Sequence, residues 1–393
     1  MLDAVLLAPV TDRILPLLEQ ADRLAADFAA RVPAHDRDNT CPVENFPPLI
    51  RAGFHALTVP QRFGGPGLDL LETLLVQERL ACGDAPTALI LGMTLHLIGG
   101  ADESGHWPEA RLQALCRAIL ERGALINSVA SEPELGSPSR GGLPATVAQR
   151  SGDGYRISGR KTFATGAPVL THLLVQASLD GHILEFALPA DRAGIRSQAG
   201  TWDVLGMRAT ASLDLVLEDV PAHEEDLLRT FAPGRLKGGH RTWFYLVVAA
   251  TYLGVAAAAR KAAVEYAVER HPTNLEGRPI ADLESVRTLL GRLEGDLVAA
   301  RSLLYSLAGA WVRHPDQRER LSAYVGLAKV RCTEAAVLAA DLAMRVAGGA
   351  SMSRSLPFER LLRDARAGLF HPPNEAAALA GLGQALCSGF TPR

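Results

Sequence analysis

Cysteine is scarce in this chain and charge of either sign nearly cancels. The five cysteines, Cys41, Cys82, Cys116, Cys332 and Cys387, are scattered and odd in number among 393 residues, and no two form a CxxC pair. That pattern excludes a disulfide framework and carries no zinc or iron–sulfur signature, and no histidine spacing suggests a metal site. A formal charge of −3 gives no electrostatic case for nucleic acid or an anionic membrane surface. No uninterrupted apolar run reaches membrane-spanning length, and the Ala-rich run Leu246 to Ala259 reads as a buried bundle helix. The start has charges spaced through it and no basic leader, so it does not read as a signal peptide; with reduced thiols, a cytoplasmic protein is expected. No Gly-rich dinucleotide fingerprint follows a strand, which argues against a Rossmann cofactor site.

What is present is an ordinary globular composition, 48% hydrophobic and 21% charged. Its hydrophobic period changes twice. Residues 1–123 are helical in pattern, with apolar spacing of i, i+3 and i+4 over Val10 to Val32 and Asp69 to Ala81, a turn-rich break "VPQRFGGPG" between, and a further helix over Ala85 to Ile98. Residues 124–232 have period two: "ATVAQR" and "YRISGRKTFA" flank the turn "SGDG", "HLLVQASL" and "HILEFALP" flank "DG", and "LDLVLEDVPA" closes the region. Residues 233–393 are helical again, over Thr242 to Arg270, Ile280 to His314, Arg318 to Val346 and Leu356 to Leu369, with a last helix from about Asn374. The expected fold is α+β: an N-terminal helical domain, a central antiparallel β domain and a C-terminal four-helix bundle.

Five ordered motifs carry a resemblance. "RAGFHALTVPQRFGGPGLDLLETLLVQERLA", "SVASEPELGSP", "GDGYRISGRKTFATGA", "WDVLGMRATAS" and "AGGASMSRSLPFERLLRDAR" resemble successive segments of the acyl-CoA dehydrogenase family over nearly the whole chain. The resemblance implies FAD between the β domain and the bundle, and a homotetramer or homodimer in which a neighbouring subunit completes the cofactor site. It implies cofactor contacts from Ala130, Ser131, Phe163, Thr165, Arg270, Gly348 and Gly349. Ser131 matches a hydroxyl donor to the flavin pyrimidine edge, Ala130 a backbone contact beside it, Phe163 the aromatic on the ring, and Thr165 a hydroxyl near N5. Arg270 matches an arginine that reaches a partner subunit's pyrophosphate, and Gly348 with Gly349 a pair that admits backbone to the adenine side. Ser137 and Phe244 fall at substrate-side positions, for an acyl-CoA or another small hydrophobic substrate. The bland alternatives are sheet core for Phe163, a turn cap for Ser131 and a helix break for the two glycines. Glu132 reads as structural, bonding the loop that carries Ser131.

The family's base does not match. Dehydrogenation of an acyl thioester needs a base within reach of the α-proton. The family's usual glutamate falls on Pro372, in "RDARAGLFHPPNE", and its alternative position falls on Phe244. Prolines end the helix and hold His371 in an extended link, where it is the nearest group able to exchange a proton near neutral pH. His96, on an N-terminal helix, is expected to line the same cavity. The nominal expectation is a dehydrogenase with His371 and His96 as catalytic candidates. The alternatives are a flavin monooxygenase of the same fold, which takes reduced flavin (FMN is then possible) from a separate reductase and shares the "TG" of "FATGA", or a flavin-binding subunit that has lost its base. The resemblance names neither the electron acceptor nor the reductase.

Overall fold

The apolar stripe of one helix organises the molecule. The computed structural model describes residues 12–134, 142–234 and 240–388. In it, α7 (His240–Glu269) packs on one side against α4 (Leu70–Gly83) and α5 (Ala85–Ser104), and on the other against α8 (Glu284–Arg313), α9 (Arg318–Ala347) and α10 (Phe358–Ala367). Its Ala-rich stretch is buried almost throughout, because small side chains let helix backbones approach closely. By length and composition alone α7 and the helical stretch Pro315–Met352 could cross a bilayer, but 83% of the most apolar window of α7 is buried inside the fold, as expected of a bundle helix.

Shorter helices complete the N-terminal layer: α1 (Leu15–Ala29), α2 (Val32–Asp38), α3 (Phe46–Arg51) and α6 (Glu109–Arg122). The expected single helix to Val32 divides at a turn, with Pro33 at the start of α2. Asp69 caps α4 in a reciprocal box with Glu72, as the S/T/D-x-x-E spacing requires. Asp84 caps α5, which runs six residues beyond its expected end. The C-terminal region closes with α11 (Glu375–Ser388).

The central strands are β1 (Ile126–Val129), β2 (Val147–Ser151), β3 (Gly154–Ala164), β4 (His172–Leu179), β5 (His182–Pro189), β6 (Ile195–Gln198), β7 (Leu213–Ala222) and β8 (Leu227–Phe231). Their order is β6-β7-β3-β2-β4-β5-β8, with β1 added against β4. The hairpins expected at "SGDG" and "DG" join β2 to β3 and β4 to β5. The sheet is not wholly antiparallel: β1 runs parallel to β4, and β2 meets β4 in parallel at Val147 and Ser178. These pairings join strands distant in sequence, which hairpin signals cannot reveal.

A buried ion pair pins the loop after β1 to β3. Lys161 Nζ donates to Glu132 Oε1 at 2.6 Å and to the Gln176 carbonyl at 2.6 Å, and both charged side chains are fully buried. Glu132 also accepts from the N–H groups of Ala145 at 2.6 Å and Thr146 at 3.1 Å. Burial alone would push the Glu132 carboxyl up, but Lys161 and these donors hold it below its usual range. Glu132 therefore has the structural role expected of it. Glu132→Gln leaves the Lys161 charge buried without its counter-ion, and should cost about 3–5 kcal/mol, read as a lowered urea midpoint; an unchanged midpoint would refute this role.

Candidate functional site

At the end of β3 the sheet breaks parity. Lys161 and Phe163, two positions apart, should share one face. Instead Lys161 is fully buried and Phe163 is 63% exposed. The register with β7 shifts between Lys161 and Ala164, and Phe163 sits at φ 57°, a left-handed conformation that is costly for a bulky aromatic. The bulge turns the Phe163 ring outward. Its edge meets Trp202 with ring centres 5.8 Å apart at 84°, leaving much of the ring surface open. The core-packing alternative for Phe163 is thus excluded.

The other β-domain candidates gather here. The Ser131 carbonyl accepts from Thr162 N–H at 2.9 Å, which fastens the Ala130–Ser131 turn beside Phe163. The Thr165 N–H donates to the Phe163 carbonyl at 2.8 Å. The Thr165 hydroxyl is buried and shares a hydrogen bond with Ser212 at 3.0 Å; Ser212 in turn pairs with Thr210, which donates to the Met207 carbonyl. Ser137 lies outside the described residues.

The loop from Trp202 to Ser212 joins all three regions. Met207 N–H donates to Asp364 Oδ1 on α10 at 2.6 Å, and Arg208 Nε donates to the Asp36 carbonyl at 2.7 Å. Arg363 on α10 reaches the Asp36 carboxylate at 2.6 Å and the Leu205 carbonyl at 3.0 Å. Gly206 lies so close to α10 that a Cβ would stand 2.0 Å from the Arg363 carbonyl oxygen, so no larger residue fits. Arg363 and Asp364 of "RDAR" are therefore tethers between domains, while Arg366 faces outward.

His371 lies just beyond α10. The helix ends at Ala367, a 3₁₀ turn covers Gly368–Phe370, and His371 is extended at φ −64° and ψ 139°, as the two prolines require. Its ring packs 5.7 Å from that of Tyr252 on α7. Burial, reinforced by the nearby Lys329 charge, lowers the His371 pKa to about 4, so the imidazole is neutral at pH 7. Tyr252 is fully buried and its hydroxyl has no hydrogen-bond partner among the described residues.

His96 is buried on α5 and meets Phe244 on α7, with ring centres 5.1 Å apart at 61°. His96 and His371 thus contact α7 at Phe244 and at Tyr252, eight residues apart, or about 12 Å along the helix. The structure places the two histidines along one helix and not in mutual contact. Arg270 is exposed at the end of α7, and its guanidinium makes no bond among the described residues. Gly348, after α9, adopts φ 61° and ψ −144°, a conformation essentially reserved for glycine. Open space faces Gly348 and Gly349 where a Cβ would stand, so their backbone is approachable.

Sequence reasoning missed Trp202, Tyr252 and Lys329. Lys329 had a readable signal: it is a lone cation on the stripe of Val325, Ala328, Cys332 and Ala336, all buried.

Family profiles for the N-terminal, middle and C-terminal domains of acyl-CoA dehydrogenase match residues 12–105, 128–220 and 244–370. This chain belongs to the acyl-CoA dehydrogenase family. As an enzyme of that family it is similar over most of its length to chains of different named activity. It is 38% identical over 364 residues to a putative acyl-CoA dehydrogenase, YdbM, of Bacillus subtilis (strain 168), covering 92% of this chain and 94% of that one. It is 32% identical over 380 residues to the amino sugar nitrososynthase RubN8 of Streptomyces rubradiris, covering 91% and 86%. Among solved structures, KijD3 in complex with FMN and a dTDP-amino-keto sugar superposes with a TM-score of 0.83 at 27% identity, covering 98% of this chain and 96% of that one.

The His371 environment has a pH consequence. Its folded pKa of about 4 lies below the ordinary 6.5, so between these values the unfolded chain binds a proton that the folded chain does not. The stability is present above pH 6.5 and is lost as pH falls toward 4. Denaturant curves at stepped pH should show wild type losing about 3 kcal/mol more than His371→Asn across that window. Parallel curves would contradict the burial of the neutral ring.

Proposed function

We propose that this chain is a flavin-dependent oxidoreductase that oxygenates a small, largely apolar substrate, with neutral His371 as the proton-handling group. What supports this reading is the sequence resemblance, which lays Pro372 and Phe244, neither of them a carboxylate, on the two positions where the family places its base. A histidine lowered to about 4 is a weak base for an α-proton at pH 7, because efficient general bases have pKa values near the working pH. It is well suited to accept or relay a hydrogen bond without adding charge.

A flavin fits the residues present. The outward Phe163 ring supplies a flat apolar face, the Ala130–Ser131 turn brings backbone and hydroxyl groups beside it, and Gly348–Gly349 leaves backbone open for a phosphate-bearing tail. When bound, the flavin supplies the redox electrons; the protein's own part is to stack it, exclude water and orient substrate. Reduced FMN delivered by a separate reductase suits the oxygenase reading, and the FMN complex of KijD3 supports it. In a homodimer or homotetramer, the exposed Arg270 of a neighbouring copy would reach the phosphate end.

A second reading, dehydrogenation of an acyl thioester with bound FAD, is favoured by the 38% identity to YdbM. The two readings separate in one pair of assays. With enzymatically reduced FMN and oxygen, a panel of aromatic, amine and sulfur compounds should yield products that have gained oxygen. Anaerobic mixing of the flavin-loaded protein with acyl-CoAs should leave the flavin absorbance unbleached. Bleaching by an acyl-CoA, with no oxygenated product, would overturn the oxygenase reading in favour of the second. Against whichever substrate turns over, His371→Ala should cut kcat by at least about 100-fold, and unchanged kcat would remove His371 from the mechanism.

A further inference from the structure

The loop that carries His371 has little packing of its own. Phe370 is 78% exposed, and Pro372, Pro373 and Asn374 are not in the core. Beneath it, Lys329 on α9 is fully buried. An ammonium donates at most three hydrogen bonds, and all three go to this loop: to the carbonyls of Gly368 at 2.8 Å, His371 at 2.5 Å and Pro373 at 3.1 Å. Among the described residues Lys329 forms no ion pair. Two of the three acceptors lie beyond the end of the preceding 3₁₀ turn, where helical bonding no longer satisfies them, and a cation there also meets the negative end of α10. Gly368 is itself held against Tyr252 and Thr333, where an added Cβ would approach 2.9 and 3.0 Å.

A methionine would fill the same volume without the cost of desolvating a charge. The charge instead collects three carbonyls that converge from one short segment, one of them on His371 itself. We propose that Lys329 is the positioning residue of the site: by gathering the Gly368, His371 and Pro373 carbonyls it fixes the height and orientation of the His371 ring against Tyr252. This rests on the assignment of His371 as the proton-handling group. Burial draws the Lys329 pKa down to about 8, still protonated at neutral pH, with the carbonyl oxygens favouring the charged form. The groups facing His371 are then the Lys329 ammonium, a single positive charge, and the uncharged phenol of Tyr252.

The test uses full-length, flavin-loaded protein as wild type, Lys329→Met and Lys329→Gln. Hydrogen exchange is read for the peptide spanning 368–374, and the His371 titration is read by NMR on histidine-labelled protein, assigned with His371→Asn. Met should raise exchange in that peptide by at least about 10-fold with the rest of the bundle unchanged. It should also return the His371 pKa toward the ordinary histidine range. Gln, which keeps two N–H donors but no charge, should retain most of the protection while still raising the His371 pKa. Unchanged exchange and titration in Met, or a rise in exchange spread evenly over the bundle, would overturn the proposal. Should Met fail to fold, Gln decides alone, and an unmoved His371 titration there overturns it. If these results hold while His371→Ala leaves kcat unchanged, the positioning role stands and the catalytic reading of His371 falls.

Discussion

Burying Lys161 at the end of a strand dictates how the chain is laid out around the site. The pair with Glu132 holds β3 inward at that position and fastens the loop after β1 to it. The chain must then leave the sheet register to reach the Thr165–Ser212–Thr210 hydroxyl chain, and it does so through the bulge at Phe163. An aromatic ring held at positive φ and turned toward solvent is an expensive arrangement for a fold to keep without a use. Its surroundings, a backbone turn at Ala130–Ser131 on one side and Trp202 on another, make a shallow aromatic shelf.

The loop that carries His371 is built by different means. A stiff loop presents a neutral imidazole, held from below by a buried ammonium that donates to three of the loop's carbonyls. Low local dielectric strengthens those bonds and also keeps His371 uncharged. The loop between Trp202 and Ser212 bonds α2, the end of β3 and α10 at once.

Much of this was legible in the residues. The switch from period 3.6 to period two and back marked the three regions, and the "SGDG" and "DG" turns marked two hairpins, because those signals are local. The parallel pairing of β1 with β4 was not legible, since nothing near Ile126 points to His172. Phe163 and Ser131 were placed by resemblance and do lie together; the inside-or-outside question for Phe163 was undecidable from alternation, since a bulge inverts parity. His371 was singled out from the two prolines that follow it. Lys329, which reinforces the effect of burial on its protonation, comes from a helix 42 positions earlier in the chain and could be seen only as an odd cation on an apolar stripe.

The central claim is that a flavin ring lies on the outward face of Phe163 with no carboxylate over its reacting edge. A crystal structure of the protein with bound FMN or FAD tests it most directly. The account predicts the ring in contact with Phe163 and beside the Ala130–Ser131 turn, with His371 as the nearest titratable side chain. A flavin bound elsewhere, or an aspartate or glutamate in contact with the ring's reacting edge, would contradict it.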